Sequence, residues 1–307
     1  MQAWTLERKI QVTQTRIIEW YQRWEGQVYI AFSGGKDSTV LLDLARRIYP
    51  DIPAVFSDTG LEFPEIRKFV ATKENVERVT PEMQFNKVIQ KYGYPVIGKK
   101  QARFIRDLRN EDGQNVATKN LRITGFNRSG VLCPSMKLSK KWLYLIDAPF
   151  DISEQCCDVI KKSPLAQYAK KTGRHPIIGT MCEESSVRKM AWVRQGCNVF
   201  DAKKPLSTPM AFWTEQDVLK YLKDFNIPYC SVYGDIEDDG NGNLHTTGEH
   251  RTGCMFCMFG AHLEKEPNRF QRMKETHPKQ YEYCMKSVEE GGLGLATVLD
   301  YIGVKYE

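Results

Sequence analysis

A short apolar run, Val28-Tyr29-Ile30-Ala31-Phe32, leads into Ser33-Gly34-Gly35-Lys36-Asp37-Ser38, and a helical pattern of apolar residues follows at Val40, Leu41, Leu44 and Ile48. No other feature narrows the fold as much. A buried strand, a glycine turn and a helix, in that order, open a parallel, doubly wound sheet. Residues 52–56 read as the next strand and 64–73 as the next helix, after Pro50 has stopped the first. The expected fold class is α/β: a doubly wound, mostly parallel sheet with a small helical segment towards the C-terminal end. Such sheets bind ligands at the carboxyl ends of their strands. Both the glycine turn and Ser57-Asp58-Thr59-Gly60 fall there.

The turn has the parts of an anion cradle. Gly34 and Gly35 let the backbone bend sharply and aim several N–H groups at one point. The start of a helix adds partial positive charge. Ser33 and Ser38 bring hydroxyls, and Lys36 brings a full charge. The G-x-x-x-x-G-K-[ST] spacing is absent, so this is not a Walker A loop. Asp37 either holds Mg²⁺ or caps the helix. Asp58 either touches a nucleotide or shapes its own turn.

Further along, residues 4–24 read as an amphipathic helix, 99–109 as a basic helix and 136–146 as another helix. Residues 121–134 read as loop and 176–180 as a strand. A helix capped by Thr214 spans 214–225. Residues 234–253, rich in Gly, Asp and Asn, read as loop, and helical patterns close the chain at 268–276 and 279–288. The implied domains are an N-terminal helix (1–26), a nucleotide-binding α/β domain (27–230) and a C-terminal loop and helical segment (231–307). With 307 residues, 41% hydrophobic and 27% charged, the chain can bury a core without disulfide staples. The net charge of +6 suits a phosphate-bearing ligand. No signal sequence opens the chain and no run nears the ~20 apolar residues of a membrane span, so a cytoplasmic, membrane-free protein is expected. In a reducing compartment its nine cysteines point to metal binding or chemistry.

Ser33-Gly34-Gly35-Lys36-Asp37-Ser38 resembles the PP-loop of ATP pyrophosphatases. The wider pattern resembles the phosphoadenosine-phosphosulfate reductase family of the adenine nucleotide α-hydrolase-like superfamily. Asp58-Thr59-Gly60-Leu61-Glu62-Phe63-Pro64 is similar to its second-strand loop. Gly179, Glu184, Ser185 and Arg188 match its G-x-R-x-x-E-S-x-x-R segment, with Met181 in place of the first Arg. Pro205-Leu206 and Trp213-Thr214-Glu215-Gln216-Asp217-Val218 resemble its P-x…W-T-x-x-D-V element. Arg251-Thr252-Gly253-Cys254-Met255-Phe256-Cys257 resembles its R-x-G-C-x-x-C close. The resemblance implies an adenine nucleotide, with Mg²⁺, held by Ser33, Gly34, Gly35, Lys36, Asp37, Ser38, Asp58, Gly179, Glu184, Ser185, Arg188 and Arg251. It implies catalytic roles for Lys36, Asp37, Asp58 and Arg188.

Cys254-x-x-Cys257 has metal-type spacing, and Cys156-Cys157 are adjacent. Four such thiolates can hold a [4Fe–4S] cluster or zinc, or be plain core residues. The Cys-Cys…Cys-x-x-Cys order resembles the [4Fe–4S] pattern of adenylylsulfate reductases and of the iron–sulfur ATP pyrophosphatases of DNA phosphorothioation. Sulfonucleotide reductases carry a catalytic cysteine in a C-terminal Glu-Cys-Gly-x-His motif, absent here. An intact turn without that motif implies cleavage of ATP to AMP and pyrophosphate, adenylating an acceptor for sulfur transfer. A sulfur-donor protein such as a cysteine desulfurase is then an implied partner. Two other readings stand: a sulfonucleotide reductase with a displaced catalytic cysteine, Cys284, and a non-catalytic nucleotide-binding subunit of a DNA-modification complex. Lys99, Lys100, Arg103, Arg106 and Arg109, and separately Lys137, Lys140 and Lys141, form basic clusters. Each is either a solvated face or a contact for a nucleic-acid acceptor. Cys133, in a loop, is a further candidate to carry sulfur.

Overall fold

The computed structural model describes residues 1–111 and 113–307. In chain order the elements are α1 (Leu6–Arg23), β1 (Val28–Ala31), α2 (Lys36–Arg46), β2 (Ala54–Ser57), α3 (Pro64–Ala71), β3 (Val76–Val79), α4 (Phe85–Tyr92), β4 (Val96–Ile97), α5 (Lys99–Arg109) and α6 (Val116–Thr124). There follow α7 (Ser163–Thr172), β5 (His175–Ile178), α8 (Ser186–Gln195), β6 (Asn198–Val199), β7 (Leu206–Ser207), α9 (Glu215–Asp224), β8 (Ile236–Asp238), β9 (Leu244–Thr246), β10 (Met258–Phe259), α10 (Arg269–Thr276), α11 (Pro278–Met285) and α12 (Leu295–Tyr301). These gather in two compact units, Met1–Glu82 with Lys161–Gly253, and Met83–Ile160 with Cys254–Glu307.

The first unit is built on a six-stranded sheet in the order β3-β2-β1-β5-β7-β6. β1 pairs in parallel with β2 and β5, with Ile30 opposite both Ala54 and Ile177. The pairs β2–β3 and β5–β7 are parallel as well, and β6 runs antiparallel to β7. The expected doubly wound, mainly parallel sheet is therefore present. From β1 the chain steps through β2 to β3, then crosses back to β5 on the other side of β1. Parallel crossovers of this kind lay their helices against the sheet faces, and α7 covers one of them. Tyr168 of α7 packs on Tyr29 and Val55, while Val28 and Ile30, which alternate with Tyr29 and so face the other side of the sheet, are fully buried. Because strand order reverses at β1 and β5, a crevice opens between their carboxyl ends.

Several elements differ from expectation. α2 starts at Lys36, inside the glycine turn. Residues read as loop after 121 begin in α6, whose Val116-Ala-Thr-Lys-Asn-Leu-Arg-Ile-Thr composition is poor in strong helix formers. The expected helix at 136–146 is a 3₁₀ segment, Lys140–Asp147. The Gly-, Asp- and Asn-rich stretch contains the hairpin β8–β9, with Glu237 opposite His245. α8 buries none of its residues, so it has no apolar stripe to betray it.

The second unit joins stretches far apart in sequence. β4 pairs in parallel with β10, Val96 opposite Met258, and Phe104, Ile105, Phe270, Leu295 and Leu299 are buried in it. Among the described residues no helix is long and apolar enough to cross a membrane.

Candidate functional site

The glycine turn sits at the reversal point of the first unit, and its conformation follows from its residues. Gly34 has φ +73°, and a Cβ there would lie 2.8 Å from Val70 Cγ2 and 2.9 Å from Ile66 Cγ2. Only glycine meets both demands. The two serines lock the bend: the Ser33 N–H donates to Ser38 Oγ at 3.2 Å, the hydroxyls are 3.0 Å apart, and Ser38 Oγ donates to the Gly35 carbonyl at 2.9 Å. Gly179, just past β5, is needed for a different reason. A Cβ there would stand 3.2 Å from the Asp37 carbonyl oxygen and 3.4 Å from Ser38 Cα, so the strand exit is pressed against the turn.

A cavity of about 250 Å³ opens over this turn, lined by Ser33, Gly35, Lys36 and Asp37 on one side and by Met181, Glu183, Glu184, Glu215, Tyr233, Arg251, Thr252 and Gly253 around it. The Lys36 ammonium reaches the Glu215 carboxylate at 2.7 Å and donates to the His250 carbonyl at 2.7 Å. Its backbone N–H donates to the Tyr233 hydroxyl at 3.2 Å. Glu184 organises the cations: it accepts from Arg251 at 3.2 Å, from the Met181 N–H at 3.2 Å and from Arg188. Burial, and then the neighbouring Arg251, lower the Arg188 guanidinium's affinity for its proton. Two cations thus stand side by side on one carboxylate, a pairing that an anionic ligand would relieve. Ser185 caps α8 by accepting from the Arg188 N–H at 3.1 Å.

Asp37 is not a helix cap. The N-cap of α2 is Gly35, with no side-chain cap bond. Asp37 Oδ1 is buried and has no hydrogen-bond partner among the described residues. Burial pushes its carboxyl up, against the opposing pull of Lys36. Mg²⁺ takes one or two carboxylates together with substrate phosphates, so an orphaned carboxylate oxygen beside an anion cradle fits that ion. Asp58 does not line the cavity. Its 3%-exposed carboxylate accepts from the Gly60 N–H at 3.0 Å and from Arg67 at 3.2 Å, and pairs with Arg78. That is the turn-forming alternative.

Sequence reasoning missed Glu183, Glu215, Tyr233 and Thr252 as cavity residues. Glu215 and Thr252 lie inside motifs already singled out, at variable positions. Tyr233 carried no signal, because only folding brings it to the turn.

In the second unit, Cys156 Sγ lies 3.9 Å from Cys157 Sγ. The hydrogen bond to Cys157, then burial, then the nearby Cys257 and Cys254 thiols push the Cys156 thiol up. Cys156 is thus within electrostatic reach of the other three expected cysteines. Among the described residues no three His, Cys, Asp or Glu side chains converge as on a single metal ion. A buried thiol crowded by three others is a donor that a cationic iron–sulfur core would relieve, so the four cysteines suit a cluster in ligand type while their side chains do not converge on one point. Cys284 is buried, its thiol donates to the Tyr281 carbonyl at 3.3 Å, and burial pushes it up to about 12. Such a thiol is not poised as a nucleophile. Cys133 is half-buried. Of the basic cluster on α5, Arg106 pairs with Glu154 at 2.7 Å and Arg109 donates to the carbonyls of Ile146 and Phe150. Lys99, Lys100 and Arg103 stay exposed. Gln101 accepts from the Ser139 N–H at 2.9 Å, which ties α5 to the segment bearing Lys140 and Lys141.

A doubly wound, mainly parallel sheet with a Ser-Gly-Gly-Lys turn at its reversal point defines the class as an α/β protein of PP-loop-like architecture. More narrowly, the chain belongs to the phosphoadenosine phosphosulfate reductase domain family, which it matches over residues 27–106 and 134–258. It is 22% identical to an adenosine 5'-phosphosulfate reductase of Lysinibacillus sphaericus, over 78% of each chain. It is 26% identical to an uncharacterized protein of Methanocaldococcus jannaschii, over 82% of this chain and 45% of that one, so it spans less than half of that relative. Among solved structures, a phosphoadenylyl-sulfate reductase from Candida auris in a phosphate complex matches at 15% identity and a TM-score of 0.41, over 75% of this chain and 89% of that one.

Proposed function

We propose that the chain is a PP-loop ATP pyrophosphatase that carries a [4Fe–4S] cluster and adenylates an acceptor for sulfur transfer. One observation carries the reading: the buried Lys36 ammonium and its own backbone N–H both face oxygen acceptors in the lining of the cavity. An acceptor oxygen attacks the α-phosphate of ATP, the α–β bridge breaks, and pyrophosphate leaves with the bonding pair. The leaving group gathers negative charge, so donors aimed at it lower the barrier. Lys36 and the amides of the turn hold the β- and γ-phosphates, and Arg188 and Arg251 steady the remaining charge. Mg²⁺, when bound, would be held by Asp37 and phosphate oxygens and would neutralise the leaving pyrophosphate. Cys156, Cys157, Cys254 and Cys257 would hold the cluster, which supplies sulfur or electron transfer, or braces the 254–257 loop. The exposed lysines of α5 and the 137–141 segment suit a nucleic-acid acceptor, and a cysteine desulfurase-like protein is the proposed sulfur donor.

Sulfonucleotide reduction is the second reading, favoured by the reductase names of the curated relatives. The neutral, buried Cys284 thiol stands against it. Anaerobically purified protein incubated with ATP and Mg²⁺ is expected to form AMP and pyrophosphate. Sulfite from adenylylsulfate and thioredoxin, with ATP untouched, would replace the first reading by the second.

A further inference from the structure

We infer that Glu215 competes with polyphosphate for the Lys36 ammonium and thereby sets the affinity of the cradle. The inference rests on the nucleotide reading above and deepens it. Lys36 offers a bound anion two donors, an ammonium and an amide, and the protein fills both. The ammonium meets Glu215 Oε1 at 2.7 Å and the His250 carbonyl at 2.7 Å. The amide meets the Tyr233 hydroxyl, which sits 2.5 Å from Thr252 Oγ1.

The acceptors differ in what it costs to move them. Tyr233 is neutral and buried in the core, so its hydroxyl is a fixed positioning contact. Glu215 is charged, opens α9 and keeps 29% of its side chain exposed, against 6% for Lys36. Its carboxylate can turn out to water. A carboxylate oxygen and a phosphate oxygen present the same charge and the same acceptor geometry to an ammonium. Two such anions at one Nζ repel each other. With the site empty, Glu215 spares Lys36 the cost of a buried, unpaired charge. With polyphosphate arriving, the same contact must be broken.

Glu183 is the internal control. It lines the same cavity but accepts from the Glu215 backbone N–H, at 2.6 Å, and among the described residues it makes no hydrogen bond or ion pair with Lys36.

The test is calorimetric titration of the full chain with inorganic tripolyphosphate and with ATP, free of divalent cations. Glu215→Gln is expected to lower Kd about fivefold, the size of a partly exposed ion pair. Glu215→Ala, carried alongside in case the amide disturbs α9, is expected to act the same way. Glu183→Gln should bring no gain, and in a Lys36→Ala background the Glu215→Gln gain should vanish. An unchanged or higher Kd for both Glu215 variants overturns the inference. So does an equal gain from Glu183→Gln, or one that survives loss of Lys36. No binding by wild type or variant sinks the inference together with the nucleotide reading; equal binding by both sinks the inference alone.

Discussion

At Lys36 a helix begins, the backbone N–H meets the Tyr233 hydroxyl, and an ammonium lies almost wholly out of solvent beside a cavity. Replacing it by alanine removes charge without touching the sheet. Lys36→Ala is expected to cut pyrophosphate release about 100-fold while the protein still melts cooperatively; a wild-type rate would end the assigned role. Its neighbour Asp37 shows the cost of such a site. Burial raises its carboxyl above the ordinary 3.8, so the folded chain keeps a proton that the unfolded chain has released. Stability therefore falls as pH rises through 3.8 and stays lower above it. Asp37→Asn is expected to raise the melting temperature at pH 7 and leave it nearly unchanged at pH 3. An equal shift at both values would mean that the charge is not the cause. The two glycines of the turn and the start of a helix at Lys36 were legible in the sequence. The state of Asp37 was not, because burial is a property of neighbours that the motif does not contain.

At the scale of elements, α9 does two things at once. Thr214 and Asp217 cap it reciprocally, and Asp217 Oδ2 also receives the Lys9 ammonium of α1 at 2.5 Å. Lys9 is 2% exposed, so its charge depends on that carboxylate. Asp217→Ala is expected to cost about 3–5 kcal/mol in urea unfolding, because an unpaired buried charge remains; a loss near 1 kcal/mol would reduce Asp217 to a simple cap. The cap places Glu215 at the helix start, beside Lys36. This helix was readable because capping chemistry is local, within three residues. The start of α1 was readable from its apolar period. α8 and the hairpin β8–β9 were not, since an exposed helix and a polar ribbon lack the alternation that marks buried faces.

At the scale of the whole molecule, both units are assembled from separated stretches of chain, and Cys156-Cys157 share the second unit with Cys254 and Cys257. If these thiols hold iron, Cys254→Ser is expected to bleach the brown colour of anaerobically prepared protein and to empty its bound iron and sulfide. An iron-free, colourless wild type would refute the cluster directly. By itself the sequence determined the sheet class, the glycine turn and the capped helix α9, because strand–turn–helix order, glycine placement and capping are each written within a few residues of chain. Tertiary structure alone decided that Tyr233 and Glu215 meet Lys36, that the Asp58 carboxylate is buried against its own turn beside Arg67 and Arg78, and that the Cys284 thiol is out of solvent. The Lys36 pairings cross more than a hundred residues, and the states of Asp58 and Cys284 come from the exclusion of water; neither leaves a mark in the order of the amino acids.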